Sequence, residues 1–112
     1  PSVPAVDLAE RGVIRFGDLR LRVLHTPGHT EGSVCLLAED EGMLYSGDTL
    51  FAGGWGRVDL PGGDPAAMVD SLARLSGLED HIGVFPGHGG ATTIGRERAL
   101  LELIRDQGRL FA

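Results

Sequence analysis

Three side chains able to bind a metal or move a proton stand at equivalent points of this chain: His29 after Pro27-Gly28, Asp48 after Gly47, and His88 after Pro86-Gly87. Each comes where a run of strand-forming residues stops. A small residue ahead of a ligand lets the backbone turn sharply, so the side chain can point away from the strand end while the strand stays fixed. Two imidazoles and one carboxylate suit zinc, iron or manganese. A single histidine on a loop is more often a hydrogen-bonded surface residue than a ligand. Three recurrences of the same turn shift that balance, because packing does not require His or Asp after a glycine three times over. His25 and His81 lack the pattern: one ends an alternating strand and the other follows an acidic turn, which leaves them as supporting or surface residues.

The elements that must hold these turns follow from periodicity. Val13 to Phe16 and Leu19 to His25 read as strands joined by the two-residue turn Gly17-Asp18, and the second alternates Leu19, Leu21 and Val23 against Arg20 and Arg22. Ser33 to Ala38 and Met43 to Ser46 are further strands on either side of an acidic turn, and an antiparallel meander fits them. Gly47 to Asp64 is too glycine-rich for regular structure and too long for a simple connection, a type of loop that often carries function. Asp64-Pro65 supplies an N-cap and a first-turn proline for a helix with Met68, Val69, Leu72 and Leu75 on one face. "IGVFPGHGG" is a short buried strand running into the second Pro-Gly-His turn. A last helix starts near Thr92-Thr93, carries Leu100, Leu101, Leu103 and Ile104, and stops at Gly108. The runs around Leu36 and Val84 are almost continuously apolar, which predicts a sheet covered on both faces. Two helices can cover only one of them.

Composition bounds the partners. At 112 residues the chain is one domain, and a hydrophobic share of 42% with 23% charged residues marks a soluble globular chain rather than a disordered one. A net charge of -6 without a basic stripe argues against nucleic acid or an anionic membrane and leaves a small molecule as the partner. No apolar run is long enough to span a bilayer and the first residues do not resemble a secretory signal, so the expected location is the cytoplasm. The lone Cys35 sits inside an apolar run and reads as a small core residue rather than a reactive thiol.

The stretches "TPGHTEGSVCLL", "LYSGDTLF" and "VFPGHGGATTIGRER" resemble the later three metal motifs of the metallo-β-lactamase-fold hydrolases, above all the glyoxalase II-like branch, from about Val13 to Arg98. The resemblance implies an α/β fold, half of an αββα sandwich with a mostly antiparallel sheet and two helices on one face. It implies a two-metal site, zinc first with iron or manganese as alternatives. His29 would bind the first ion, Asp48 would bridge both and steer the attacking water, and His88 would bind the second. The family's HxHxDH motif does not occur in this sequence, so residues 1–112 resemble the C-terminal half of such an enzyme. The missing N-terminal half, or a second copy in a homodimer, would then cover the open sheet face, and the half-length chain alone is expected to be inactive.

Three functions are compatible with these motifs. The first is a thioester or ester hydrolase of the glyoxalase II-like kind. The second is a mononuclear iron enzyme resembling persulfide dioxygenases, on the strength of "GRVDL" at Gly56 to Leu60. The third is a non-catalytic half-domain that dimerises or binds a partner. His88 favours the hydrolase, since it would serve a second metal. Trp55 and Arg57, with Phe51, are the candidates for substrate contact because they lie in the glycine-rich loop beside Asp48. Against this, Phe51 and Trp55 could anchor packing, and Arg57 could use its planar fork on Asp59 or Asp64 instead of on a substrate carboxylate.

Overall fold

The Gly17-Asp18 turn, with Gly17 at a φ of 57°, joins β1 (Val13–Phe16) to β2 (Leu19–His25) in the computed structural model, which describes residues 13–110. β3 (Val34–Ala38) and β4 (Met43–Gly47) continue antiparallel, separated by a single 3-10 turn at Glu39–Glu41. This part is the expected meander. The segment expected to lack regular structure departs from that expectation: β5 (Leu50–Phe51) and β6 (Gly54–Trp55) pair as a small hairpin of their own. Its stability comes from tertiary contacts rather than propensity, because Leu50 is wholly buried and its carbonyl accepts the Ser46 hydroxyl at 2.7 Å.

α1 (Pro65–Leu75) starts where Asp64 caps it, the carboxylate accepting the Ala67 N–H at 3.1 Å. The helix then carries the chain across the sheet, so β7 (Gly83–Pro86) joins β4 parallel rather than extending the meander. β8 (Thr92–Thr93) closes the edge antiparallel to β7, giving the order β1-β2-β3-β4-β7-β8. α2 (Ile94–Gln107) begins under a Thr93 cap, whose hydroxyl oxygen accepts the Arg96 N–H at 3.0 Å, and ends at Gly108 with a φ of 69°. Among the described residues no helix is long and apolar enough to cross a membrane.

Met68, Leu72 and Leu75 of α1 and Ile94, Leu101 and Ile104 of α2 form one core with Cys35, Leu37, Leu44 and Val84 of the sheet. Cys35 is wholly buried, and burial pushes its thiol above the ordinary range despite hydrogen bonding with the Thr26 and Thr49 side chains. The opposite face is apolar too. Val23, Leu36, Tyr45 and Phe85 stand in one row across β2, β3, β4 and β7. Tyr45 and Phe85 are 39% and 40% exposed, with ring centroids 6.0 Å apart. Strand alternation sends Val84 into the helix-covered core and its neighbour Phe85 to the open face.

Candidate metal centre

The three turns meet because of strand direction. β3 runs antiparallel to both β2 and β4, so β2 and β4 point the same way, and β7 is parallel to β4. The C-terminal ends of β2, β4 and β7 therefore lie along one edge of the sheet, and each of them releases one of the three side chains.

Each turn is fastened to its surroundings. The His29 loop is closed by the Thr26 N–H on the Ser33 carbonyl at 2.9 Å. α1 holds it from behind: the Ser71 hydroxyl donates to the Pro27 carbonyl at 2.7 Å, and the Asp64 N–H donates to the Gly28 carbonyl at 2.7 Å. Gly28, at a φ of 149°, lies so close to α1 that a Cβ there would sit 2.6 Å from the Met68 Cα. The Gly47 carbonyl accepts the Gly87 N–H at 2.8 Å and ties the Asp48 and His88 turns together. Gly28 and Gly47 have positive φ, whereas Gly87 does not, so only two of the three turns use the conformational freedom expected of them.

Asp48 lies between the two histidines. Its Oδ2 is 3.5 Å from His29 Nε2 and its Oδ1 is 3.2 Å from His88 Nε2. His29 Nδ1 lies 2.8 Å from the Arg57 carbonyl, which can only accept, so Nδ1 carries a ring proton and Nε2 is the nitrogen turned towards Asp48. The His29 side chain is 23% exposed and that of His88 78%, so the two ends of the arrangement differ in their access to solvent.

The donor set fits part of a metal site. Among the described residues no group of three His, Cys, Asp or Glu side chains is placed to hold one metal ion by itself. Two pairs share Asp48 instead, each carboxylate oxygen facing a different imidazole. A catalytic zinc usually takes three protein ligands, so each pair is an incomplete shell of suitable chemistry.

An open cleft of about 260 Å³ lies over these groups, lined by His29, Asp48, Phe51, Gly56, Arg57 and His88. Phe51 faces it, with its ring edge-on to that of His88 at 6.3 Å. Trp55 turns the other way and packs against the core. The Arg57 guanidinium is held by Asp59 through two bonds of 2.8 and 2.9 Å, one of the two roles open to it from sequence. Its pairing with Arg57 lowers the Asp59 carboxyl to about 2. His25 lies outside the cleft lining, its Nε2 2.9 Å from the Glu31 carbonyl, and His81 lies near Glu79. Two features had no signal in the sequence: the supporting group on His29 is a main-chain carbonyl, and Gly56 crosses directly over Asp48. A Cβ on Gly56 would lie 1.8 Å from the Asp48 carbonyl oxygen.

Residues 1–88 match the model of the metallo-beta-lactamase superfamily. Hydroxyacylglutathione hydrolase GloC of Haemophilus influenzae is 37% identical over 90 residues, which are 80% of this chain and 42% of that protein. Among solved structures, the BLEG-1 B3 metallo-beta-lactamase superposes with a TM-score of 0.78 at 36% identity, covering 85% of this chain and 46% of that one. TTHA1623 in a di-iron-bound form superposes with a TM-score of 0.72 at 46% identity, covering 79% and 43%. The chain thus spans less than half the length of each of these proteins.

Proposed function

The chain belongs to the metallo-beta-lactamase superfamily, and on that premise we propose that the whole protein is a metal-dependent hydrolase of thioester or ester substrates, glyoxalase II-like, with zinc as its metal. The observation that carries this reading is the placement of Asp48, with one carboxylate oxygen towards each imidazole. A second histidine on its own side of the aspartate supports a two-metal arrangement over a mononuclear iron enzyme.

In this reading His29 and Asp48 would hold one ion, and Asp48 and His88 the other. When bound, two such ions supply Lewis acidity: they lower the pKa of a water and polarise the substrate carbonyl. The chain's own residues do the positioning. The Arg57 carbonyl keeps His29 in the tautomer whose Nε2 is available. Asp48 would supply the negative charge that offsets two cations and would orient the attacking water by accepting its hydrogen bond. Phe51 forms an apolar wall of the cleft beside His88. The remaining ligands come from a segment of the protein outside this chain, which packs on the open apolar face of Val23, Leu36, Tyr45 and Phe85.

The test uses the full-length protein, stripped of metal and titrated with zinc, with an acyl-glutathione thioester as substrate. Hydrolysis should return with the second zinc, and Asp48→Asn should lower zinc content and hydrolysis together, because an amide carries no charge to offset two cations. An Asn variant with full metal occupancy and an unchanged rate would remove Asp48 from the mechanism.

A further inference from the structure

Glu97 lies in the first turn of α2 and is only 7% exposed. Burying a carboxyl group removes it from water, and an apolar side chain of similar size would be more stable there unless the oxygens find strong partners. Both do. Oε1 accepts the Gly53 N–H at 2.8 Å, and Oε2 accepts the Thr92 hydroxyl at 2.6 Å. Gly53 is in the turn of the β5–β6 hairpin, and Thr92 opens β8 directly after the loop 87–91 that carries His88. One side chain therefore grips two separate segments that meet at the site, where the Phe51 ring stands edge-on to His88.

α2 does not need this residue to start. Thr93 already caps the helix, and Ile94, Leu101 and Ile104 anchor it in the core. The His29 side has separate supports from α1. We propose that Glu97 is a positioning residue for the His88 side of the centre, tying the β5–β6 hairpin and the β7–β8 loop to the first turn of α2 so that His88 and Phe51 keep their places beside Asp48. Its consequence for metal binding rests on the functional reading above. Its consequence for His88 does not.

The experiment compares Glu97→Ala, Glu97→Gln and Thr92→Val in the full-length protein by two readouts: imidazole NMR signals with Gly53 amide exchange in the absence of metal, and titration with zinc alone. Alanine should shift the His88 ring signals and speed Gly53 exchange while moving the His29 ring less, and should weaken the second zinc roughly tenfold with the first less affected. Glutamine should restore all of these, since its amide oxygen can accept the Gly53 N–H and its NH2 can donate to the Thr92 oxygen. Thr92→Val, which removes only one of the two bonds, should move His88 without moving Gly53, and it decides the matter if the alanine variant does not fold. Unmoved His88 signals in the soluble variants would overturn the proposal, as would equal movement of His29 and His88 with a general loss of stability. A wild-type protein that binds no zinc, with His88 still responding to Glu97→Ala, would refute the metal reading and leave the positioning role standing.

Discussion

Replacing Gly56 by alanine should disable the centre from a position that holds no functional side chain. The added Cβ would lie 1.8 Å from the Asp48 carbonyl oxygen, 3.0 Å from its carbonyl carbon and 3.3 Å from the His29 Cβ, whereas ordinary contacts begin at 3.4 Å. The nearest of these atoms belong to the main chain, so no rotamer change relieves the clash. The segment after β6 must retreat from Asp48 by about 1.5 Å, and overpacking of this kind costs about 1–3 kcal/mol. Arg57 is the next residue, so the same retreat stretches the 2.8 Å bond from His29 Nδ1 to its carbonyl, which is worth a further ~1 kcal/mol. A displacement of about 1 Å at reacting groups can lower a rate by roughly a hundredfold. Gly54→Ala is the control, since a Cβ there meets nothing within 4 Å. Thermal melting and metal content of the full-length protein should show Gly54→Ala close to wild type and Gly56→Ala destabilised and depleted of metal. A Gly56→Ala protein with unchanged melting and full metal content would show that the loop is not packed over Asp48 as described.

Other outcomes follow from the same contacts. Gly28→Ala combines a φ of 149° with a Cβ 2.6 Å from the Met68 Cα, so α1 must shift; it should cost about 1–3 kcal/mol, and an unchanged melting temperature would refute the close approach. Arg57→Ala should raise the Asp59 carboxyl from about 2 towards the ordinary carboxylate range in an NMR titration, with its backbone hydrogen bond still holding it somewhat low. The sign is that of a lowered carboxylate: the pair's stabilisation is present above the ordinary carboxylate value and disappears as pH falls through about 2, and full exposure keeps it small. The same variant should leave metal binding intact, because His29 is held by the Arg57 main chain, and lost binding would assign the role to the side chain. Cys35, buried and with its thiol raised, should resist alkylation in the native protein and react once denatured; prompt native labelling would contradict its burial.

Local signals were strong enough to read much of this fold in advance. The Gly17-Asp18 turn, the alternation of β2, the Asp64-Pro65 start of α1 and the Gly108 stop of α2 each depend on a few neighbouring residues, so sequence spacing carries them directly. The same holds for the repeated pattern of strand, glycine and ligand type that singled out His29, Asp48 and His88. What spacing could not carry was set by residues far apart in the chain. The parallel joining of β7 to β4 arises because α1 crosses the sheet, and that crossing aligns the ends of β2, β4 and β7 on one edge. The β5–β6 hairpin exists because Leu50 is buried and Glu97, 44 residues away from Gly53, accepts its N–H. Phe51 rather than Trp55 faces the cleft because strand alternation and core packing assign the two rings opposite sides. A main-chain carbonyl, such as that of Arg57 on His29, leaves no mark on residue type, since every residue has one. Residue chemistry and local turns are written in the order of amino acids, whereas the distances between those turns depend on packing, which only the folded chain can set.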